Sequence, residues 1–206
     1  MAFDLRTLLS PLLRWRATSA EGLENLPKVG PAILVANHVG LQDPQALIGI
    51  VLAHSHRMPA ILAKWKIFAN PIVRFLSNTI PLYDDRRKTI AEAMALLQKG
   101  ELVCFYPEAG VNTQQTIGKV KTGAARLALA SRAPVIPIGL RRISAVPQTS
   151  ADHRHDILFG RVRVVIGKPI DVSAWYNRTV DRPLLDAVTD AIMTRVAALA
   201  GKTYTG

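Results

Sequence analysis

The rhythm of the apolar runs constrains this chain most. From residue 31 onward, short strand-like stretches ("PAILVAN", "MPAILAK", "TIPLY", "ELVCFYP", "PVIPIGL") alternate with segments patterned as helices. "PQALIGIVLAHS" reads as a helix opened by Asp43 and Pro44, and "NPIVRFLSN" as a second. "KTIAEAMALLQKG" is the clearest helix, with Ile90, Met94 and Leu97 on one face and Gly100 as its stop. "TGAARLALASR" and "DRPLLDAVTDAIMTRVAALAG", the latter stopped by Gly201, complete the helical set. "ELVCFYP" is apolar without alternation, the pattern of a strand buried on both faces. "HDILFG" and "RVRVVIGKPI" read as a late pair of strands around Gly160. Strands separated by helices predict an α/β fold: a mostly parallel central sheet with helices on both faces. The 206 residues suit one domain, and no long linker divides them.

Charge narrows the partners. Against 15 Asp and Glu stand 26 Lys and Arg, a formal +11, so the protein is drawn to polyanions. Nucleic acid is disfavoured, because aromatics are only 6% and the cations are spread along the chain instead of interleaved with aromatic residues. An anionic membrane surface explains the same charge, each nearby cation contributing about 1 kcal/mol against acidic lipid. The single cysteine, Cys104, excludes an internal disulfide and reads as an inert small hydrophobe inside a strand.

No stretch reaches the ~18 to 20 apolar residues of a bilayer span. Near the N-terminus, Leu5, Leu8, Leu9 and Leu12 repeat with helical spacing, flanked by Arg6, Arg14, Trp15 and Arg16. Residues 1–20 therefore read as a short amphipathic segment, packed on its own domain or lying on lipid, ahead of a domain over residues 21–206. Peripheral attachment at the cytoplasmic face of a membrane is the expectation.

In open α/β sheets, ligands collect beyond the carboxyl ends of strands. Two such ends carry polar groups without an evident folding role: Asn37-His38 after "PAILVA", and Glu108 after "ELVCFYP". Asp43 follows His38 by five residues, and five positions on one helix would point about 140° apart. The pair meets only if a loop bends between them, and Gly40 supplies the freedom for one. Asp43 then fixes the imidazole tautomer and leaves the second ring nitrogen facing a substrate. Asp-Pro is equally an excellent helix opening, with Asp43 as N-cap and Pro44 as first helical residue. A carboxylate has two oxygens, so both roles remain open. The pairs His54/His56 and His153/His155 lack a well-placed acid cluster or cysteine and read as loop histidines, with no metal expected.

Asn37-His38 with Asp43 resembles the His-x4-Asp motif of the glycerolipid acyltransferases, the 1-acylglycerol-3-phosphate acyltransferase family. The other family blocks follow in order. "GLENLPKVGPAILVANH" resembles the entry to that motif, and Lys64 matches a lysine after the second strand. "FYPEAGVN", containing Glu108, Ala109 and Gly110, resembles the Phe-Pro-Glu-Gly block. "KVKTGAARLAL", containing Lys121, resembles the Lys-x-Gly-Ala segment, and "PVIPIGL" the closing Pro-Val-Ile-Pro block. The likeness covers roughly residues 20 to 142.

The resemblance implies the fold of the glycerol-3-phosphate acyltransferases and an acyl transfer without an acyl-enzyme. His38 is then the general base, oriented by Asp43. An acceptor hydroxyl attacks the thioester of acyl-coenzyme A or acyl carrier protein, and no cofactor is needed beyond that donor. The acceptor implied is a lysophospholipid such as 1-acylglycerol-3-phosphate, with Asn37, Lys64, Arg86, Arg87, Glu108, Ala109, Gly110 and Lys121 as substrate-binding candidates. Two departures bear on it. The family's Pro-Glu-Gly-Thr-Arg-Ser is here Pro-Glu-Ala-Gly-Val-Asn, with Val111 where the arginine stands. After the third strand, "YDDRR" places Asp84 in the position of a further arginine, with Arg86 and Arg87 displaced by two and three positions. Arginine grips phosphate with two parallel hydrogen bonds, so its displacement matters. Either Arg86, Arg87 and Lys121 rebuild the phosphate site, or the acceptor is a non-phosphate hydroxyl compound. A lipid-binding homologue without catalysis is the remaining alternative.

Overall fold

The computed structural model describes residues 17–64, 78–144 and 160–206, together with Pro11 and Trp15. The "NPIVRFLSN" helix up to its last residue, Asn78, the "HDILFG" strand up to Gly160, the leucine-rich start and the His153/His155 pair lie outside the described residues. Along the chain run β1 (Ala17–Glu21), β2 (Ala32–Ala36), α1 (Asp43–Ser55), β3 (Ala60–Lys64), β4 (Asn78–Leu82) and α2 (Arg86–Gln98). Then follow β5 (Leu102–Phe105), β6 (Thr116–Ile117), α3 (Gly123–Ser131), β7 (Val135–Arg142), β8 (Val162–Ile166), α4 (Arg182–Ala200) and β9 (Thr203–Tyr204).

Among the described residues, seven strands form one sheet in the order β1-β8-β7-β2-β5-β3-β4, and β6 and β9 form a separate pair. Within the large sheet every neighbouring pair is parallel except β7 with β8. The expected mostly parallel α/β architecture is what the chain adopts. One boundary moves: β1 begins at Ala17, so the sheet already includes residues that the sequence assigned to an N-terminal segment ending at residue 20. β1 is short and carries little apolar signal, so nothing in its composition announced a strand.

β2 lies at the centre and is buried throughout. Its side chains alternate between two cores, as a strand covered on both faces requires. Ile33 and Val35 join α2, α3 and α4 on one face, while Ala32, Leu34 and Ala36 join α1 on the other. β5 splits the same way, with Val103 and Phe105 on the first face and Leu102 and Cys104 on the second. The chain leaves β2 through α1 to reach β3 on one side, and leaves β5 through α3 to reach β7 on the other. Adjacent strands whose connections part in opposite directions, over opposite faces, open a crevice at their carboxyl ends. Val35 pairs with Phe105, so the residues that follow, Asn37-His38 and Tyr106-Pro107, emerge side by side there.

At the far end of the chain, α4 packs down on β7 at Gly139. A Cβ there would lie 2.3 Å from the backbone of Leu199, so only glycine admits the helix this closely. Arg141 Nε donates to Leu199 O (2.9 Å) and fixes the end of α4 against the same strand. β9 then pairs with β6, which delivers the last residues to the loop between β5 and α3.

Candidate active site at the ends of β2 and β5

Asp43 makes the turn after β2. Its Oδ2 accepts from the Val39 amide (2.6 Å), the Gly40 amide (3.0 Å) and His38 Nδ1 (2.9 Å). Asp43 stands at the first helical position, with Gln42 as N-cap, and accepts nothing from its own helix's amides. The carboxylate reaches backwards over the turn, so the orienting role prevails over the capping role that Asp-Pro equally allowed. Gly40 is not left-handed, and a Cβ there would lie 2.2 Å from the end of the Gln42 side chain, so a larger residue would have to displace that amide. Arg142, at the end of β7, adds a bond from Nη1 to Val39 O (3.1 Å).

The pair differs in access. The Asp43 side chain is 0% exposed and that of His38 is 16% exposed, so the histidine alone presents an edge to an incoming molecule. With Nδ1 held by Asp43, the free edge carries Nε2. The Asp43 Oδ1 atom is buried without a hydrogen-bond partner among the described residues. The Tyr106 ring stands 4.8 Å from the imidazole, tilted by 37°, and backs it from the end of β5. Burial pushes the Tyr106 phenol well above its ordinary range, so this neighbour remains uncharged.

Glu108 completes the cluster from the β5 side. Its Oε1 accepts from the His38 amide (2.8 Å) and its Oε2 from Asn112 Nδ2 (2.6 Å). Asn112 in turn donates its amide to His38 O (2.6 Å) and its Nδ2 to Thr116 O (2.9 Å). The two loops are thus stitched through the main chain of His38. Ala109 sits at φ 59°, a left-handed turn residue whose amide donates to Tyr106 O (3.1 Å). Gly110 follows it, exposed.

Other candidates fall elsewhere. Asn37 is completely buried, and its amide bonds both main-chain groups of Leu140 on β7 (3.0 and 2.7 Å). It extends the β2–β7 pairing by one step, so the expectation that it touches substrate is corrected: its polar atoms serve the sheet. Arg86 and Arg87 are exposed at the start of α2, after β4. β4 is three strands from β2, ~14 Å at the usual strand spacing. Lys121 is exposed and touches the loop through its main chain, donating to Pro107 O (3.0 Å). Lys64 closes β3, two strands from β2. Cys104 is buried, and its thiol is pushed up to about 12, which suits an inert core residue.

Three contributors escaped the sequence reading. Tyr106 and Asn112 lie within "FYPEAGVN", where neither a tyrosine beside a proline nor a loop asparagine is a distinctive signal. Lys202 is the third. It arrives from beyond α4, and its Nζ donates to Asn112 O (2.7 Å). Among the described residues no metal-binding cluster of His, Cys, Asp and Glu occurs, and no helix is long and apolar enough to cross a membrane.

A model of the Acyltransferase family matches residues 18–141. The chain is 34% identical over 159 residues to a chloroplastic 1-acyl-sn-glycerol-3-phosphate acyltransferase of Arabidopsis thaliana, covering 73% of this chain and 42% of that protein. A chloroplastic protein of the same description from Brassica napus is 32% identical over 162 residues, 74% of this chain and 45% of the relative. The chain therefore spans less than half the length of these curated relatives. Among solved structures, the 1-acyl-sn-glycerophosphate (LPA) acyltransferase PlsC of Thermotoga maritima matches with a TM-score of 0.67 at 21% identity, over 96% of this chain and 79% of that one. That likeness is one of fold.

Proposed function

The chain belongs to the Acyltransferase family, and from that premise we propose that it moves a fatty acyl group from an acyl-coenzyme A or acyl-carrier-protein thioester to the hydroxyl of a lysophospholipid such as 1-acylglycerol-3-phosphate. The observation that carries the reading is the His38–Asp43 contact, 2.9 Å long and formed at the switch point of the sheet. Asp43 accepts from Nδ1–H and leaves the Nε2 lone pair at the exposed edge. Nε2 takes the proton of the acceptor hydroxyl as its oxygen attacks the thioester carbonyl carbon. Collapse of the tetrahedral intermediate forms the ester and breaks the carbon–sulfur bond. The departing thiolate takes the proton back from the imidazolium, so the histidine ends as it began. An unpartnered Oδ1 on the buried Asp43 leaves carboxylate charge to balance that transient cation.

The named relatives support the acceptor class, since both are 1-acyl-sn-glycerol-3-phosphate acyltransferases by name. The +11 charge supports action at an anionic membrane surface, and we place the protein peripherally on the cytoplasmic face. The deciding assay is thiol release from acyl-coenzyme A, and from acyl carrier protein, by the purified chain with lysophosphatidic acid or non-phosphate acceptors. Release that requires lysophosphatidic acid and is lost in His38→Ala is the expected result. Release with only a non-phosphate hydroxyl would overturn the acceptor, and release unaffected by His38→Ala would overturn the mechanism.

A further inference from the structure

Given the acyl transfer proposed above, a phosphate-bearing acceptor needs a cation near the site; Arg86 and Arg87 stand exposed after β4, three strands from β2, and Lys121 meets the β5 loop through its main chain. The fold brings a different one. Lys202 follows the end of α4, its amide donates to Ala197 O (2.9 Å), and the next two residues form β9 against β6. Thr203 donates to Gln115 O (3.0 Å) and Thr205 to Ile117 O (2.9 Å), so Lys202 is held on both sides. Its ammonium reaches Asn112 O, and Asn112 donates to His38 O. One residue thus separates the Lys202 ammonium from the main chain of the candidate base.

A structural tie between tail and loop would need only a neutral donor at this position. Lys202 instead brings a half-buried charge and, among the described residues, uses one of its three donors, on a carbonyl. It forms no ion pair among the described residues. The nearby carboxylates are engaged by other donors, Asp43 through Val39, Gly40 and His38, and Glu108 through His38 and Asn112. Burial lowers the proton affinity of the Lys202 amine, and attraction by Glu108 and Asp43 restores only part of it. A dianion arriving at the site would supply the missing compensation. In 1-acylglycerol-3-phosphate the phosphate is only a few covalent bonds from the reacting hydroxyl, so an acceptor poised at His38 brings its charge close by. Val111, the residue standing where the resembled family has an arginine, is exposed in this same loop and carries no charge of its own.

We propose that Lys202 binds the phosphate of the acyl acceptor, as the specificity-determining cation that the C-terminal tail lends to the His38–Glu108 site. The test is steady-state kinetics of the full chain with lysophosphatidic acid and with the matching monoacylglycerol, which lacks the phosphate. Lys202→Gln keeps a polar donor at this position, one bond shorter, and removes the charge; Lys202→Arg keeps the charge. Lys99→Gln, an exposed lysine at the end of α2, controls for net charge. For Lys202→Gln we expect KM for lysophosphatidic acid to rise on the order of tenfold, the effect of one charge-assisted hydrogen bond. Its kcat, its Tm and its rate with monoacylglycerol should stay near those of the wild type, and Lys202→Arg should restore most of the affinity. An unchanged KM in Lys202→Gln overturns the proposal, as does an equal loss with both acceptors or a fallen Tm, which mark a structural tie. These outcomes leave the acyl-transfer reading intact. That reading fails separately, and Lys202 with it as a phosphate ligand, if the wild type transfers nothing to lysophosphatidic acid.

Discussion

The turn after β2 orients the His38 ring through Asp43, five positions away, while the adjoining loop after β5 borrows a lysine from 90 positions further along the chain. Both loops leave neighbouring strands at the same crevice. In the first, one carboxylate oxygen gathers two amides and a ring nitrogen, so geometry and chemistry share a single atom. In the second, Glu108 and Asn112 tie the loop to His38, and a two-stranded pairing with the C-terminal tail places the charge. The ring of the base is therefore oriented by a local contact, while its main chain and the surroundings that would meet the acceptor are held by distant ones. Changes in the tail can alter what is bound without touching the Asp43–His38 bond.

The contrast is broken most severely at His38. His38→Ala should lower kcat by about 10² to 10⁴, the usual worth of a positioned base. Its Tm should change little, since the Asp43 bonds to the Val39 and Gly40 amides survive. Asp43→Ala should damage both quantities: each buried amide left without an acceptor costs about 1–3 kcal/mol, and His38 loses its orientation. Asp43→Asn separates the two effects. Its side-chain oxygen can still accept from the amides, so denaturant titration should show most of the stability retained while acyl transfer remains low. Equal stability losses in Asn and Ala variants would refute this division. On the β5 side, Asn112→Ala removes the bonds to Glu108 and Thr116 and should cost about 1–2 kcal/mol of stability. We expect kcat/KM to fall by roughly tenfold as the loop loosens. A loss as deep as that of His38→Ala would place Asn112 in the chemistry itself.

The same division decides what could be read from the sequence. Apolar rhythm reported the central strands and the α1, α2, α3 and α4 helices, because burial on two faces leaves a continuous trace in composition. His38 and Asp43 were legible as a pair because their partnership spans one loop. Their roles were open until the backbone showed the carboxylate bent away from its own helix. Asn37 was misread, since its hydrogen bonds go to Leu140 on β7, 103 positions away. β1 and β9 left little pattern because their pairing partners, not their composition, make them strands. Lys202 had no signal for the same reason: a lysine after a helix-stopping glycine is ordinary until the tail docks.

The smallest expected effect sharpens the account of the β5 loop. Ala109 adopts φ 59°, where a Cβ crowds the following carbonyl and costs about 1–2 kcal/mol. Glycine occupies that conformation freely, though it loses more entropy on folding. The two terms oppose each other, so Ala109→Gly should stabilise the protein by no more than about 1 kcal/mol. Its amide bond to Tyr106 O is a main-chain contact and survives the change. The turn should therefore keep its course, and Glu108 should keep its hold on the His38 amide. Thermal unfolding with paired acyl-transfer rates would check this: a slightly higher Tm with unchanged kcat is expected. A lower Tm would mean that the loop imposes the left-handed turn without strain. A lower kcat at higher Tm would mean that the stiffness of Ala109 helps hold Glu108 against His38, making the β5 loop a closer partner of the base than its remote anchoring suggests.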